Sequence, residues 1–202
     1  MTTLISIVYH SRRGHTESVA GAVARGAAVS GVDVRLIPVS AVADHWDTLD
    51  ASAAIVFGCP TFMGSASAAF KVFAEETFHT GRWRDQQWKD KLAAGFTSSA
   101  SQSGDKLSTL QQLSVFAAQH MMLWIGSDDG PGNNHSKGSV GDINRLGSWL
   151  GVMTQANGDE GPELSPPPSD LATAENLGRR VAEAALRWTW VRQTPTVRRS
   201  NY

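Results

Sequence analysis

The sequence predicts a doubly wound α/β domain, in which five parallel strands form a sheet with helices on both faces. Short apolar runs alternate five times with stretches of helical periodicity, the pattern of a parallel sheet with right-handed crossovers. The run from Ala53 to Cys59 is almost continuously apolar, as expected of a central strand covered on both sides. Three of the runs end in loops rich in glycine and hydroxyl residues. In this fold class ligands bind at that edge of the sheet.

Apolar spacing defines the elements of the N-terminal part of the chain. Leu4 to Tyr9 is the first predicted strand, and a helix follows whose apolar residues recur at helical spacing until Gly31. Val32 to Val39 is the second strand candidate. The polar link after it predicts only a weak helix, and the strand from Ala53 comes next.

The middle of the chain continues the alternation. A helix is predicted over 67–78, with Phe70 and Phe73 on one side. An insert over 81–90 carries Trp83 and Trp88, which either pack locally or mark a protein interface. The next elements are a strand over 92–97, a helix with Leu107, Leu110, Leu113 and Phe116 on one stripe, and a strand over 121–125.

The C-terminal part contains one long segment without a periodic pattern. Residues 127–168 are rich in glycine, asparagine and proline, which favours either a functional lid or an excursion toward a partner. The last helix begins near Ser169 or Asp170, either of which can cap it. Beyond Val191 the chain is polar and basic, and a tail over 192–202 is predicted.

Charge and cysteine content exclude several classes of protein. The formal net charge of -1 gives no basic field for nucleic acid or acidic membranes. Cys59 is the single cysteine, so no internal disulfide can form, and the N-terminus lacks the features of a secretory signal. No apolar run approaches the ~18 residues that span a bilayer. We therefore expect a cytoplasmic protein without membrane insertion.

The loop between the first strand and first helix has the make-up of a phosphate cradle. The first N–H groups of a helix have no intrahelical partner and face outward at the positive end of its dipole. The loop lacks the Gly-x-Gly-x-x-Gly dinucleotide spacing and the Gly-Lys-Ser/Thr ending of a triphosphate loop. A monophosphate site is predicted, with an ordinary turn as the alternative. Its candidate residues are Ser11, Arg12, Arg13, Gly14, His15 and Thr16.

The loop after the third strand suits a planar ring. Its backbone amides can meet the polar edge of a heterocycle while Phe62 and Met63 offer apolar contact. The alternative is that both side chains only anchor the loop. The candidate residues are Pro60, Thr61, Phe62, Met63, Gly64 and Ser65.

The loop after the fourth strand has few bulky side chains, so its backbone amides stay accessible. Such amides can stabilise negative charge on a bound ring, and a plain polar linker is the alternative. The candidate residues are Ser99, Ala100, Ser101, Gln102, Ser103 and Gly104. No metal site is predicted, because the six histidines include no convincing pair at helical i, i+4 spacing.

Four blocks of the sequence together carry a family resemblance. Tyr9 to Thr16 resembles the phosphate loop of flavodoxin-like proteins. Gly58 to Ser65 looks like the flavin-ring loop of the NAD(P)H:quinone oxidoreductases first called tryptophan repressor binding proteins (WrbA). Phe96 to Gly104 and Gln119 to Met122 are similar to two further blocks of that family. The similarity covers most of Leu4 to Gly126 and weakens from there to the final helix.

The resemblance implies bound flavin mononucleotide (FMN), with its phosphate at the first loop and its ring at the second and third. It also implies that His120 reaches the ring region, where it orients the acceptor or supplies a proton. On this reading residues 1–191 form a single flavodoxin-like FMN-binding domain, and a homo-oligomer, dimer or tetramer, is expected.

The activity that the resemblance implies is a ping-pong transfer of two electrons from NAD(P)H, a co-substrate, to a quinone-like small-molecule acceptor. An electron-transfer protein without substrate turnover of its own is the alternative. Such carriers are usually strongly acidic, and the near-neutral charge here disfavours that option.

Overall fold

The sheet and its helices have the arrangement that the sequence predicts. A computed structural model describes residues 2–193. The strands are β1 Thr3–Tyr9, β2 Val32–Pro38, β3 Ala54–Phe62, β4 Ser65–Ala66, β5 Leu92–Ser99, β6 Leu123–Trp124 and β7 Val152–Gln155. The helices are α1 His15–Ala27, α2 Trp46–Ala51, α3 Ala68–His79, α4 Lys106–Gln119 and α5 Pro168–Gln193, with a 3-10 turn, Val39–Asp44, before α2.

The sheet order is β2-β1-β3-β5-β6, and neighbouring strands on this path are parallel. The doubly wound class with five strands in its main order is therefore confirmed. Two short strands are additional: β4 folds back antiparallel on the end of β3, and β7 pairs with β5 in parallel. The weak helix expected before β3 is present as the 3-10 turn and the short α2.

The fifth position in the sheet is shared by two strands, and here the sequence prediction was wrong in part. β6 pairs only with Leu92 and Ala93 of β5, and β7 pairs with Phe96–Ser99 further along. The strand predicted over 121–125 is shorter because Met121 (φ 58°) and Met122 still close α4; the Met122 N–H donates to the Ala117 carbonyl at 3.0 Å. Residues 126–151 leave the sheet and return.

The core lies in two layers, one on each face of the sheet, because successive residues of a strand point to opposite sides. Ile7 faces α1 and α5, whereas Val8 faces α3 and α4. The α1–α5 layer is aliphatic and brings the two helices into very close contact at Gly26 and Gly178. The opposite layer is aromatic and is centred on Phe57.

The tryptophan insert after α3 is mainly a packing element. Trp88 is fully buried, and its Nε1–H donates to Asp50 Oδ1 at 2.8 Å. Trp83 stays 42% exposed, and its ring lies against Phe78 of α3, with ring centroids 5.7 Å apart. Local packing therefore explains Trp88, and the interface alternative stays open for Trp83.

The C-terminal helix begins at Pro168, one residue before the predicted cap. The predicted tail, 192–202, falls for the most part outside the described residues. Within residues 2–193, no helix combines the length and the apolar character needed to cross a membrane.

Candidate active site

Four loops surround a cavity of about 200 Å³ at the carboxyl ends of the strands. The first three are the predicted loops after β1, β3 and β5. The fourth follows β7. The cavity is lined by Ser11, Arg12, Arg13, His15, Thr16, Pro60, Phe62, Ser98, Ser99, Ala100, Ala156 and Gly158.

The β1 end of the cavity has the properties of an anion site. Gly14 precedes α1 in the left-handed conformation (φ 88°), and its N–H donates to Ser11 Oγ at 3.1 Å. In the part of the chain that the structure describes, no side chain caps this helix. The first-turn N–H groups thus lack an intrahelical partner and lie at the positive end of the dipole. This geometry favours a bound phosphate.

The fourth loop is held over the first by direct hydrogen bonds. Arg13 Nη1 donates to the Gly158 carbonyl at 2.9 Å, and His15 Nε2–H donates to the Glu160 carbonyl at 2.8 Å. Pro162 packs against Gly14 so closely that a side chain there has no room. The segment after β7 therefore forms a wall of the cavity at its β1 end.

The β3 side of the cavity uses only part of the predicted ring loop. Pro60 and the 44% exposed Phe62 line it. Thr61 points into the core, where its Oγ1 lies 2.8 Å from Thr97 Oγ1 and 2.7 Å from Thr109 Oγ1. The remaining predicted residues do not line the cavity: Met63 and Gly64 form the tight turn between β3 and β4, and Ser65 begins β4.

The β5 side contributes Ser98, Ser99 and Ala100. Ser98 is 3% exposed, and its Oγ has no hydrogen-bond partner within residues 2–193. A buried hydroxyl without a partner loses its hydration energy, and such groups normally find a ligand or water. The predicted residues Ser101, Gln102, Ser103 and Gly104 lie beside the cavity rather than in its wall.

His120 does not line the cavity of its own chain, so its expected role at the ring region stays a prediction. α4 begins beside the third loop and runs for 14 residues, about 20 Å at 1.5 Å per residue, toward the opposite edge of the sheet. There His120 Nε2–H donates to Thr77 Oγ1 at 2.9 Å, and the ring packs against Trp88 and Phe116. Burial lowers the pKa of His120 to about 4.

We expect replacement of His120 by Gln to change the pH dependence of stability and to leave FMN binding unchanged. Because the folded-state pKa is depressed from 6.5 to about 4, the unfolded chain takes up a proton in this interval that the folded chain does not. The His120 contribution to the free energy of unfolding is thus complete above pH 6.5 and is lost as pH falls toward 4. Urea unfolding at several pH values should show the difference between wild type and H120Q narrowing toward pH 4. An equal difference at pH 7 and pH 4.5 contradicts this.

Three cavity residues were missed in the sequence analysis. The predicted third loop begins at Ser98, but Ser98 was not among its candidate binding residues; in the structure it belongs to the buried end of β5. Ala156 and Gly158 follow β7, a four-residue strand inside the segment that was read as a lid or an excursion. The Asn157-Gly158 pair is a turn signal, and it marks the point where that strand ends.

An open parallel sheet of this order, with a cavity outside the carboxyl ends of β1, β3 and β5, defines the flavodoxin-like class of α/β proteins. The chain matches the flavodoxin family over residues 7–114, more than half of its length. The chain belongs to the flavodoxin family. The resemblance inferred from the sequence is thereby confirmed at the level of the family.

Individual relatives span nearly the whole chain. It is 40% identical over 179 residues to "Flavodoxin FldP" of Pseudomonas aeruginosa, a match that covers 87% of this chain and 93% of the relative. It is 30% identical over 202 residues to an "NAD(P)H dehydrogenase (quinone)" of Paracoccus denitrificans, covering 91% and 94%. A solved structure, the "flavodoxin, WrbA-like protein from Agrobacterium tumefaciens", superposes with a TM-score of 0.70 at 36% identity and covers 92% of this chain and 99% of that one.

The family implies a flavin, FMN, and the residues of the cavity fit it in two respects. First, α1 has no side-chain cap among the described residues, so the N–H groups at its start are available to a phosphate. Second, the Ser98 hydroxyl in the cavity wall has no hydrogen-bond partner among these residues and is available to the ring. Fold, family and relatives together support a flavin-dependent oxidoreductase.

Proposed function

We propose that this protein holds FMN in the four-loop cavity and passes two electrons from NAD(P)H to a quinone-like acceptor in a ping-pong reaction. The observation that carries the proposal is the continuity of the cavity. It joins the anion site at the start of α1 to a wall of Pro60, Phe62 and Ser98, so one ligand with a phosphate and a flat polar ring fits both ends.

The residues of this chain bind and orient the cofactor. Arg12 and Arg13 supply positive charge at the phosphate end, and the N–H groups of the first turn of α1 supply hydrogen bonds. Ser98 Oγ and the backbone of β5 are the polar groups at the ring end. FMN, when bound, supplies the ability to accept a hydride from NAD(P)H and pass the electrons on.

Protons for the acceptor come from solvent on this proposal. The ring end of the cavity is lined by Pro60, Phe62 and the 98–100 stretch, which carry no acid or imidazole. His120, the predicted proton donor, is buried at the opposite edge. Phe62 is partly exposed at the cavity rim and provides an apolar surface against which a flat acceptor can stack.

A second function is supported by a separate observation. The relative at 40% identity is named a flavodoxin, and Met63 is fully exposed next to Phe62 at the rim of the cavity. Exposed apolar residues beside a binding site suit docking of a protein partner. On this second proposal the protein is an electron carrier that turns over no substrate of its own.

Steady-state kinetics separate the two functions. The FMN-loaded protein is mixed with NADH or NADPH and a small quinone as the only acceptor. The enzyme proposal predicts catalytic oxidation of NAD(P)H at a rate proportional to protein and dependent on quinone. Oxidation no faster than that by free FMN at the same concentration contradicts it and favours the carrier.

Replacement of Ser98 by Ala is expected to weaken FMN binding about fivefold and to leave the stability of the cofactor-free protein unchanged or slightly higher. The hydroxyl has no partner within the described residues, so its removal breaks no hydrogen bond there, whereas a bond to the cofactor contributes about 1 kcal/mol. Fluorescence titration with FMN and thermal unfolding of the apo protein measure the two quantities. Unchanged affinity contradicts the placement of the ring end.

Two further predictions from the sequence belong to this proposal. The protein is a homo-oligomer, which light scattering of the FMN-loaded protein measures, and it resides in the cytoplasm, which cell fractionation measures.

A further inference from the structure

The first turn of α4 contains a buried lysine that is unfavourably placed for stability. Lys106 is 1% exposed, although a buried ammonium group loses much of its hydration energy. It is also the first residue of α4, at the positive end of the helix dipole, where a cation is repelled. In the described part of the chain no carboxylate forms a salt bridge with it. Violations of this kind concentrate at functional sites.

All three N–H donors of the Lys106 ammonium group bind to one loop. Lys106 Nζ donates to Ser99 Oγ at 2.9 Å, to the Ser101 carbonyl at 2.8 Å and to the Gln102 carbonyl at 2.6 Å. A lysine ammonium has three N–H donors, so these three acceptors satisfy it completely. All of them belong to residues 99–102, and Ser99 lines the cavity. Lys106 therefore fixes the shape of the third loop.

A second side chain fixes the neighbouring peptide. Gln155 Nε2 donates to the Ala100 carbonyl at 3.0 Å. Gln155 is itself held by Arg145, whose guanidinium pairs with Asp170 in a nearly buried salt bridge. The 126–151 excursion and the start of α5 thus stabilise the same loop that Lys106 holds.

These bonds orient the loop amides. In a planar trans peptide the C=O and the following N–H point in opposite directions. Since the carbonyls of residues 100, 101 and 102 point toward Gln155 and Lys106, the N–H groups of residues 101, 102 and 103 point away from them. Among the described residues none accepts a hydrogen bond from these three N–H groups. Consecutive free amides of this kind form a concavity that attracts negative charge.

We propose that Lys106 is a positioning residue: it holds Ser99 and the third loop in place, so that Ser99 and Ala100 keep their shape in the cavity wall and a fixed positive charge and free backbone amides lie beside the cavity that holds the cofactor. This proposal rests on FMN binding in the cavity, as proposed above. Lys106 acts through Ser99 and the loop and does not itself touch the cavity. Its effect is to strengthen FMN binding and to favour the electron-rich, reduced form of the cofactor.

The state of charge of Lys106 gives the proposal a pH dependence. Burial is the largest influence and lowers its pKa to about 8; Asp170 raises the pKa and Arg145 lowers it further. The cation is present below pH 8 and is lost above it. Affinity for FMN should therefore decline between pH 7 and pH 9.

The test compares wild type with Lys106→Met, which keeps a long unbranched side chain at this position but removes its charge. Leu110→Met is the matched control, because it changes a fully buried residue one turn further along α4 without changing charge. The cofactor-free proteins are titrated with FMN at pH 7 and pH 9, and the midpoint potential of bound FMN is measured at pH 7.

We expect K106M to raise the Kd for FMN about tenfold at pH 7, to lower the midpoint potential and to abolish the weakening between pH 7 and pH 9. L110M should match wild type in all three. If K106M has the wild-type Kd and midpoint potential, the proposed role of Lys106 is overturned, whereas the proposed function of the protein is not. Failure of wild type to bind FMN overturns the proposed function and this proposal with it. If K106M does not fold, a flat wild-type affinity between pH 7 and pH 9 overturns the role.

Discussion

Replacement of Gly14 by alanine is expected to raise the Kd for FMN by about 10- to 100-fold. Gly14 adopts φ 88°, a left-handed conformation that costs an L-residue about 1–2 kcal/mol. A Cβ atom would also lie 2.8 Å from Pro162 Cγ, and Pro162 belongs to the fourth loop, which Arg13 and His15 hold in place. The substitution therefore distorts both the helix start and the wall above it.

Gly21→Ala is the control for this prediction. Gly21 lies in the same helix, and the nearest heavy atom to its added Cβ is a flexible Arg25 nitrogen at 3.8 Å. Alanine is the better helix former by about 1 kcal/mol, so G21A should bind FMN as wild type does and be slightly more stable. Fluorescence titration of both variants measures the effect. Equal FMN affinity of G14A and G21A contradicts the phosphate site at the start of α1.

Replacement of Gly26 by alanine should lower the free energy of unfolding by about 3 kcal/mol or more. Its Cβ would lie 1.8 Å from the Glu175 carbonyl oxygen and 2.6 Å from the carbonyl carbon. These are backbone atoms of α5, which cannot rotate away as a side chain can. α1 and α5 must separate to admit the methyl group, and the aliphatic layer between them loses its packing.

Urea unfolding of the cofactor-free protein measures the loss, with G21A again as the control in the same helix. The opposite helix gives an independent check, since a Cβ at Gly178 would lie 2.0 Å from the Val23 carbonyl oxygen. G178A should therefore destabilise to a similar degree. A G26A protein within 1 kcal/mol of wild type contradicts the close helix contact.

The alternation of strands and helices and the first loop were predictable because each rests on a local pattern. The apolar run of β3 and the helical spacing in α1 identify elements without knowledge of their neighbours. The loop after β1 was recognisable as a candidate phosphate site because Gly14 and the hydroxyl residues stand where a strand ends and a helix begins. The expected binding residues of this loop, except Gly14 itself, line the cavity.

The rest of the site depends on tertiary pairing that no local pattern shows. β7 has only four residues, and its place beside β5 is decided by register, so the fourth loop could not be seen in the sequence. The position of His120 follows from the length of α4, which moves it to the opposite edge. Lys106 is not singled out by the sequence, because a lysine at the start of a helix carries no sign that packing buries it against the loop just before it.

The central claim is that the four-loop cavity binds FMN with its phosphate at the start of α1. Equilibrium titration of the cofactor-free protein with FMN and, separately, with riboflavin tests it most directly, because riboflavin has the same ring and lacks only the phosphate. The account predicts one FMN per chain, bound at least about 100-fold more tightly than riboflavin, since the phosphate contributes charge-assisted hydrogen bonds worth about 3 kcal/mol. Equal affinity for the two ligands, or no binding of FMN, would contradict it.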